Sequence, residues 1–169
     1  MSCNLACWTL LYLSAHKQWK DKATAEVHRL IAAYTNAASS EPIHKRLSTI
    51  PISAWEDEMP VMESVIRETL RLVKNDTALR RNLADNLRVG NKTLKKGAFM
   101  AYNLADVHLN DLFYPEPLKF DPSRFYPPRE EHKRGDAVFL GWGTGRHPCA
   151  GELLRLPHQV NFLTTSCQA

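Results

Sequence analysis

Hydrophobic positions along this chain follow two rhythms. Across residues 17–34, Trp19, Ala23, Val27, Leu30 and Ile31 recur at helical spacing, with Lys20, Lys22, Glu26 and Arg29 elsewhere. That pattern predicts an amphipathic helix from Lys17 to Tyr34 with its stripe on a core. Residues 4–15 are apolar nearly all round and predict a buried helix. A further helix is expected from Ala54 to about Val73. Ser53 offers its N-cap, Glu56 three residues on closes a capping box, and Met62, Val65, Ile66, Leu70 and Val73 form its apolar stripe. Residues 35–53 are Ser-, Ala- and Pro-rich and read as loop, with room for one short helix.

After Val73 the rhythm changes. Leu87-Arg-Val-Gly-Asn-Lys-Thr-Leu94 sets a turn between two short strand-like runs, and Ala98 to Leu104 predicts a strand entering a helix. Residues 113–128 hold five of the ten prolines (Pro115, Pro117, Pro122, Pro127, Pro128), which excludes regular structure and predicts an ordered, meandering loop. A charged loop, Arg129 to Asp136, follows. The fold class expected is therefore mainly α with small β-sheets, an α+β chain.

Composition narrows the picture only slightly. The 169 residues suffice for a sizeable core. A net charge of +4, with no basic tract interleaved with aromatics, gives no reason to expect a nucleic-acid partner. The four cysteines are too few and too scattered for a disulfide framework. Cys3 and Cys7, four apart on one helix, read as buried small hydrophobes, with a metal pair as the alternative. Leu5 to Ala15 lacks the basic start of a signal peptide and is too short to cross a bilayer.

The richest chemistry lies in Trp142-Gly-Thr-Gly-Arg-His-Pro-Cys-Ala-Gly151. Gly143 and Gly145 permit a tight turn and close approach to a flat ligand, and Gly151 leaves room just past the sulfur. Residues 150–156 read as the first turns of a helix, which favours the thiolate form of Cys149. Arg146 and His147 are donors suited to carboxylates. A haem-iron thiolate ligand fits this set; a glycine-rich turn before a buried structural cysteine is the competing account. A Cys149–His147 metal or thiol site is disfavoured by the absence of further ligands at metal spacing.

A second constellation precedes it. Glu68 and Arg71, three apart, are neighbours on one helix, and Val61 and Leu72 flank Glu68, so the pair is either buried or a solvated surface pair. A buried pair needs further hydrogen bonds. Arg124, between Phe120 and Phe125 in the proline-stiffened loop, is the candidate third member.

In this order the motifs resemble the C-terminal, haem-binding portion of a cytochrome P-450, a haem-thiolate monooxygenase. The resemblance covers residues 4–154, and Ala105-Asp-Val-His-Leu-Asn110 is similar to the family segment before the meander. It implies a structural triad of Glu68, Arg71 and Arg124, and Cys149 as the iron ligand. It also implies propionate contacts from His147 and from Arg80, with Arg81 as the rival. Trp142, in place of the usual Phe, would pack beside the sulfur, with Gly143, Gly145, Arg146 and Gly151 completing the haem contacts. The resemblance is greatest to fungal members near the sterol 14α-demethylases. It implies a haem cofactor and insertion of one oxygen atom of dioxygen into an apolar, possibly sterol-like substrate. Electrons would come from NADPH through a cytochrome P-450 reductase or similar donor. Arg129, Lys133, Arg134 and Arg146 would form a basic patch for that donor, or simply a solvated charged loop. An intact relative would sit on the cytosolic face of the endoplasmic reticulum membrane, anchored by a segment outside this chain.

Two departures set further expectations. The chain corresponds to only the later part of a family member, lacking the N-terminal half and the final hairpin. It is expected to divide into a haem-binding part, 1–156, and a divergent tail, 157–169, because Pro157 stops the last helix early. No catalytic residue is assigned, Thr9 being only a candidate alcohol. The alternative to a monooxygenase fragment is a truncated, inactive haem-binding or interaction fragment.

Overall fold

His16 divides the first stretch of chain into two helices. In the computed structural model, which describes residues 2–36, 40–144 and 149, α1 (Ser2–Ala15) and α2 (Lys17–Tyr34) meet there, and α2 has the bounds its periodicity predicts. Trp19, Ala23, Val27 and Leu30 are buried and Ile31 is partly so. The expectation of a buried α1 holds for one face only. Leu5, Ala6, Thr9 and Leu13 turn inward, whereas Trp8 and Leu11 are exposed. Cys7 also lies on the outward side, free and exposed, which corrects its expected role as a buried hydrophobe.

Two short helices, α3 (Ile43–Ser48) and α4 (Ile52–Asp57), occupy the stretch expected as loop and the start of the expected long helix. The helix predicted over 54–73 is divided. It restarts as α5 (Pro60–Val73), and Ser53 lies inside α4 without capping anything. Pro60 is the reason: its ring clashes with the carbonyl four residues earlier, and it lacks the N–H a continuing helix needs. At the first helical position neither defect matters. The cap of α5 comes from α2: Glu26 accepts hydrogen bonds from the Val61 and Met62 amides at 3.0 and 2.8 Å. Burial pushes the Glu26 carboxyl upward, and those two amides only partly offset it. Met62, Val65, Ile66 and Leu70 form the inner face of α5 and pack against α1 and α2.

Beyond α5 the chain makes two small antiparallel ladders. β1 (Thr77–Arg81) pairs with β4 (Phe99–Asn103), and the hairpin of β2 (Asn86–Val89) and β3 (Lys92–Lys95) is inserted between them in sequence. Gly90 makes the hairpin turn at φ +59°, a conformation that strains other residues. Asn82, buried, ties the ladders together: its side-chain amide donates to the Leu94 carbonyl and its backbone amide to the Ala98 carbonyl, at 2.9 and 2.8 Å. A single helical turn, α6 (Ala105–His108), follows β4. As the prolines predict, residues 113–128 then run without a strand or α-helix; their one regular piece is the 3-10 turn Pro122–Phe125, which packs on α5.

Candidate functional site

The helical pair Glu68 and Arg71 points into the protein. Both side chains are fully buried, and Arg124 joins them at 1% exposure. Glu68 and Arg71 face each other in a two-pronged contact: Nε donates to Oε2 at 2.7 Å and Nη2 to Oε1 at 2.8 Å. Arg124 Nε reaches the same Oε1 at 3.3 Å, and the Asp121 amide donates to it at 2.9 Å. Most of the remaining guanidinium N–H groups turn to backbone carbonyls. Arg71 Nη1 donates to His108 and Pro117; Arg124 donates to Pro115, Glu116 and Lys119. The two arginines thus fix the shape of a loop that has no ladder of its own.

Three groups that the sequence reading did not assign to this cluster extend it. Glu131, also buried, accepts from Arg124 Nη1 at 3.0 Å through one oxygen and from Arg129 at 2.8 and 3.0 Å through the other. Arg129 also donates to Asp121 at 2.7 Å. Three carboxylates therefore balance three guanidiniums. Burial raises the Asp121 carboxyl, but hydrogen bonds from Ser123 and Arg129 outweigh it and leave the group below its usual range. The only sequence signal for Glu131 was the charged run around it.

Of the expected basic patch, Lys133 and Arg134 remain exposed and Arg129 is drawn into the cluster. Arg129 is taken up by Asp121 and Glu131, Lys133 pairs with Glu130, and Arg134 donates to the Phe113 carbonyl.

A second set of contacts joins the cluster to the segment leading to Cys149. His108 is fully buried. Its Nδ1 lies 3.1 Å from the Lys74 carbonyl just past α5, and its Nε2 accepts from the Leu140 amide at 3.0 Å. Burial above all pushes its pKa down to about 4, so the ring is neutral at pH 7. The Tyr114 hydroxyl donates to the Val138 carbonyl at 3.1 Å, and burial raises its pKa. Phe139 lies against His108 and edge-on to Phe125, at centroid distances of 5.8 and 5.6 Å. Gly141 leaves room for the Phe139 ring: a Cβ there would stand 2.4 Å from the ring and force it to shift.

From Leu140 the chain turns. The Gly143 amide donates to the Leu140 carbonyl at 3.0 Å, and the Cys149 amide to the Trp142 carbonyl at 2.8 Å. Gly143 sits at φ +80° with open space where a side chain would be. Trp142 is partly buried against the core. Cys149 is free and half-buried. A free thiol whose amide is tied back to an open glycine turn suits a flat, thiolate-ligated group such as haem. Gly145, Arg146, His147 and Gly151 lie outside the described residues, as do the expected helix 150–156 and the tail 157–169. Arg80 and Arg81 are both exposed on β1, on opposite faces: Arg80 stands across from Met100, and Arg81 lies over the Phe99 ring. Among the described residues no cluster of His, Cys, Asp and Glu is arranged to hold a metal ion, and no helix is long and apolar enough to cross a membrane.

This architecture is that of the cytochromes P450. The structure of retinoic acid-bound cyanobacterial CYP120A1 superposes with a TM-score of 0.70 at 25% identity, over 96% of this chain and 34% of that one. The crystal structure of CYP102L1 gives 0.68 at 21% identity, which speaks for the fold alone. The sequence profile of the cytochrome P450 family matches residues 3–165, and the chain belongs to that family. Among its relatives are the cytochrome P450 monooxygenases nsrP of Aspergillus novofumigatus and AacuE of Aspergillus aculeatus. Each is 34% identical over 142 residues, or 82% of this chain. The chain spans only 27% and 28% of those two relatives.

Proposed function

We propose that this chain carries the thiolate side of a haem site in a cytochrome P450 monooxygenase, with Cys149 as the protein ligand of the iron. The observation that carries the reading is a free, half-buried thiol whose amide is bonded to Trp142, just after an open glycine turn, in a chain of this family. Bound there, haem would supply the redox centre through which one oxygen atom of dioxygen is inserted into substrate.

The chain's own residues have separable tasks in this reading. Cys149 binds the metal, held as a thiolate. His147 and Arg80, or Arg81 in its place, bind the propionates, with Arg146 as a further donor. Trp142 keeps water from the sulfur, and Gly143, Gly145 and Gly151 leave the space a flat ring needs. Glu68, Arg71 and Arg124 touch no reacting atom and act by holding the meander.

The substrate class proposed is apolar. The retinoic acid bound to the similar cyanobacterial protein, a largely apolar ligand, supports that class. A sterol-like substrate is the narrower form and rests on sequence resemblance alone. Electrons from NADPH through a reductase, and attachment to the endoplasmic reticulum through a segment outside this chain, belong to the same proposal.

The test is the reduced, carbon monoxide-bound difference spectrum of the haem-loaded chain, recorded beside Cys149→Ala. A strongly red-shifted Soret band that disappears in the variant is expected. A band at the position of histidine-ligated or free haem, the same in both proteins, would overturn the assignment. Turnover of an apolar substrate with NADPH and a reductase tests the activity itself.

A further inference from the structure

We propose that His108 is the positioning residue of the cysteine loop, a joint through which the buried ionic cluster fixes where Cys149 is held. The inference rests on the reading of Cys149 as the iron ligand.

Three bonds converge on this one residue. Its carbonyl accepts from Arg71 Nη1 at 2.6 Å. Its ring spans from the Lys74 carbonyl to the Leu140 amide, at 3.1 and 3.0 Å. An amide N–H can only donate, so Nε2 must present its lone pair to Leu140. The proton then sits on Nδ1, facing a carbonyl that can only accept. One tautomer of the neutral ring meets both demands; the other tautomer and the imidazolium each fail at Leu140.

Past Leu140, each step toward the cysteine is a main-chain bond. The Leu140 carbonyl receives the Gly143 amide, and the Trp142 carbonyl within that turn receives the Cys149 amide. The ring is therefore three hydrogen bonds from the Cys149 backbone. Phe139, one residue before Leu140, packs against the same ring, and its far neighbours Phe125 and Arg67 limit its retreat. Leu140 is itself buried, so its amide has no ready exchange of His108 for water. Displacement of the ring moves the start of the turn, and with it the Trp142 carbonyl that holds the Cys149 amide.

The two ring nitrogens can be tested separately with carboxamides. In His108→Gln the side-chain oxygen reaches the position of Nε2 and continues to accept from Leu140. In His108→Asn the shorter amide serves Lys74 and leaves Leu140 without an acceptor. Hydrogen exchange on the haem-free chain reads the contact directly. The Leu140, Gly143 and Cys149 amides are expected to exchange about tenfold faster in His108→Asn, the effect of one lost hydrogen bond, and close to the parent rate in His108→Gln. The carbon monoxide spectrum of the haem-loaded chain reads the consequence: His108→Asn loses thiolate band relative to the parent, and His108→Gln restores it.

Equal exchange in Asn, Gln and parent overturns the proposal. So does faster exchange spread equally over β1 and β4, which would mark His108 as a core residue and nothing more. Failure of the haem reading has a different signature: a parent band that survives Cys149→Ala, or no thiolate band in the parent. The exchange pattern alone then decides whether His108 positions the loop.

Discussion

Replacing Glu68 by Gln tests whether the buried cluster is held by charge balance. The carboxylate receives two bonds from Arg71, one from Arg124 and one from the Asp121 amide. A carboxamide keeps one acceptor oxygen and turns an NH2 group toward a guanidinium that also only donates. Arg71, at 0% exposure, would lose the carboxylate it faces, and Arg124, at 1%, would keep Glu131, which also serves Arg129. Removing one partner of a buried pair typically costs about 3–5 kcal/mol, because the other charge stays buried. Glu63→Gln is the internal control. Its bond to Arg67 lies on the same helix at i,i+4 spacing, against i,i+3 for Glu68 and Arg71, and at 2.5 Å is only partly buried; a solvated helical pair contributes about 0.3–0.5 kcal/mol. Urea unfolding followed by far-ultraviolet circular dichroism separates the two. With a slope of about 1–3 kcal/mol per molar urea, Glu68→Gln should lower the midpoint by at least about 1 M and Glu63→Gln by a few tenths at most. Midpoint shifts of the same size would refute the argument, since burial is what distinguishes the pairs.

Two further outcomes are expected. His108 has a folded pKa of about 4 against an ordinary 6.5, so the unfolded chain binds its proton first. Stability should therefore fall by up to about 3 kcal/mol as pH drops from about 6.5 to 4 and lose nothing more to this group below that. Burial depresses His132 as well, so a smaller slope of the same sign remains in His108→Gln; an unchanged slope in that variant would clear His108 as the source. Gly141→Ala should cost about 1–3 kcal/mol, because the new methyl displaces the Phe139 ring. At Gly90, a left-handed residue with open space around it, the same change should cost only about 1 kcal/mol of backbone strain. Urea midpoints of the two variants rank them, and equal values would contradict the clash.

What could be read from the sequence was local or strongly patterned. The stripe of α2 is a single unbroken period, so its bounds and the apolar part of its buried face followed from it, while Glu26, read on the polar side, is buried with them. Five prolines in sixteen residues left the meander no regular alternative. The division between α4 and α5 is also written in the sequence, at Pro60, although the Ser53–Glu56 spacing imitates a capping box for one longer helix. Other features depend on partners far along the chain. The cap of α5 is Glu26, about 35 residues earlier, and no spacing rule links them. Burial of Glu68 could be suspected from Val61 and Leu72, yet the charge balance required Glu131, which looked like one acid in a solvated loop. His108 stood inside a segment recognised by resemblance, while its task depends on Lys74 and Leu140, which approach only in the folded chain.

The meander is held largely by its carbonyl oxygens. Pro115, Glu116, Pro117 and Lys119 each offer one to an arginine, as does His108 just ahead of it, and every amino acid supplies the same oxygen. Such a segment is indifferent to much of its own spelling but strict about its length. Exchanging an exposed side chain leaves the acceptors where they were, whereas adding or deleting one residue shifts all of those that follow. The guanidiniums act as a ruler laid along the backbone, which a substitution leaves in register and an insertion does not.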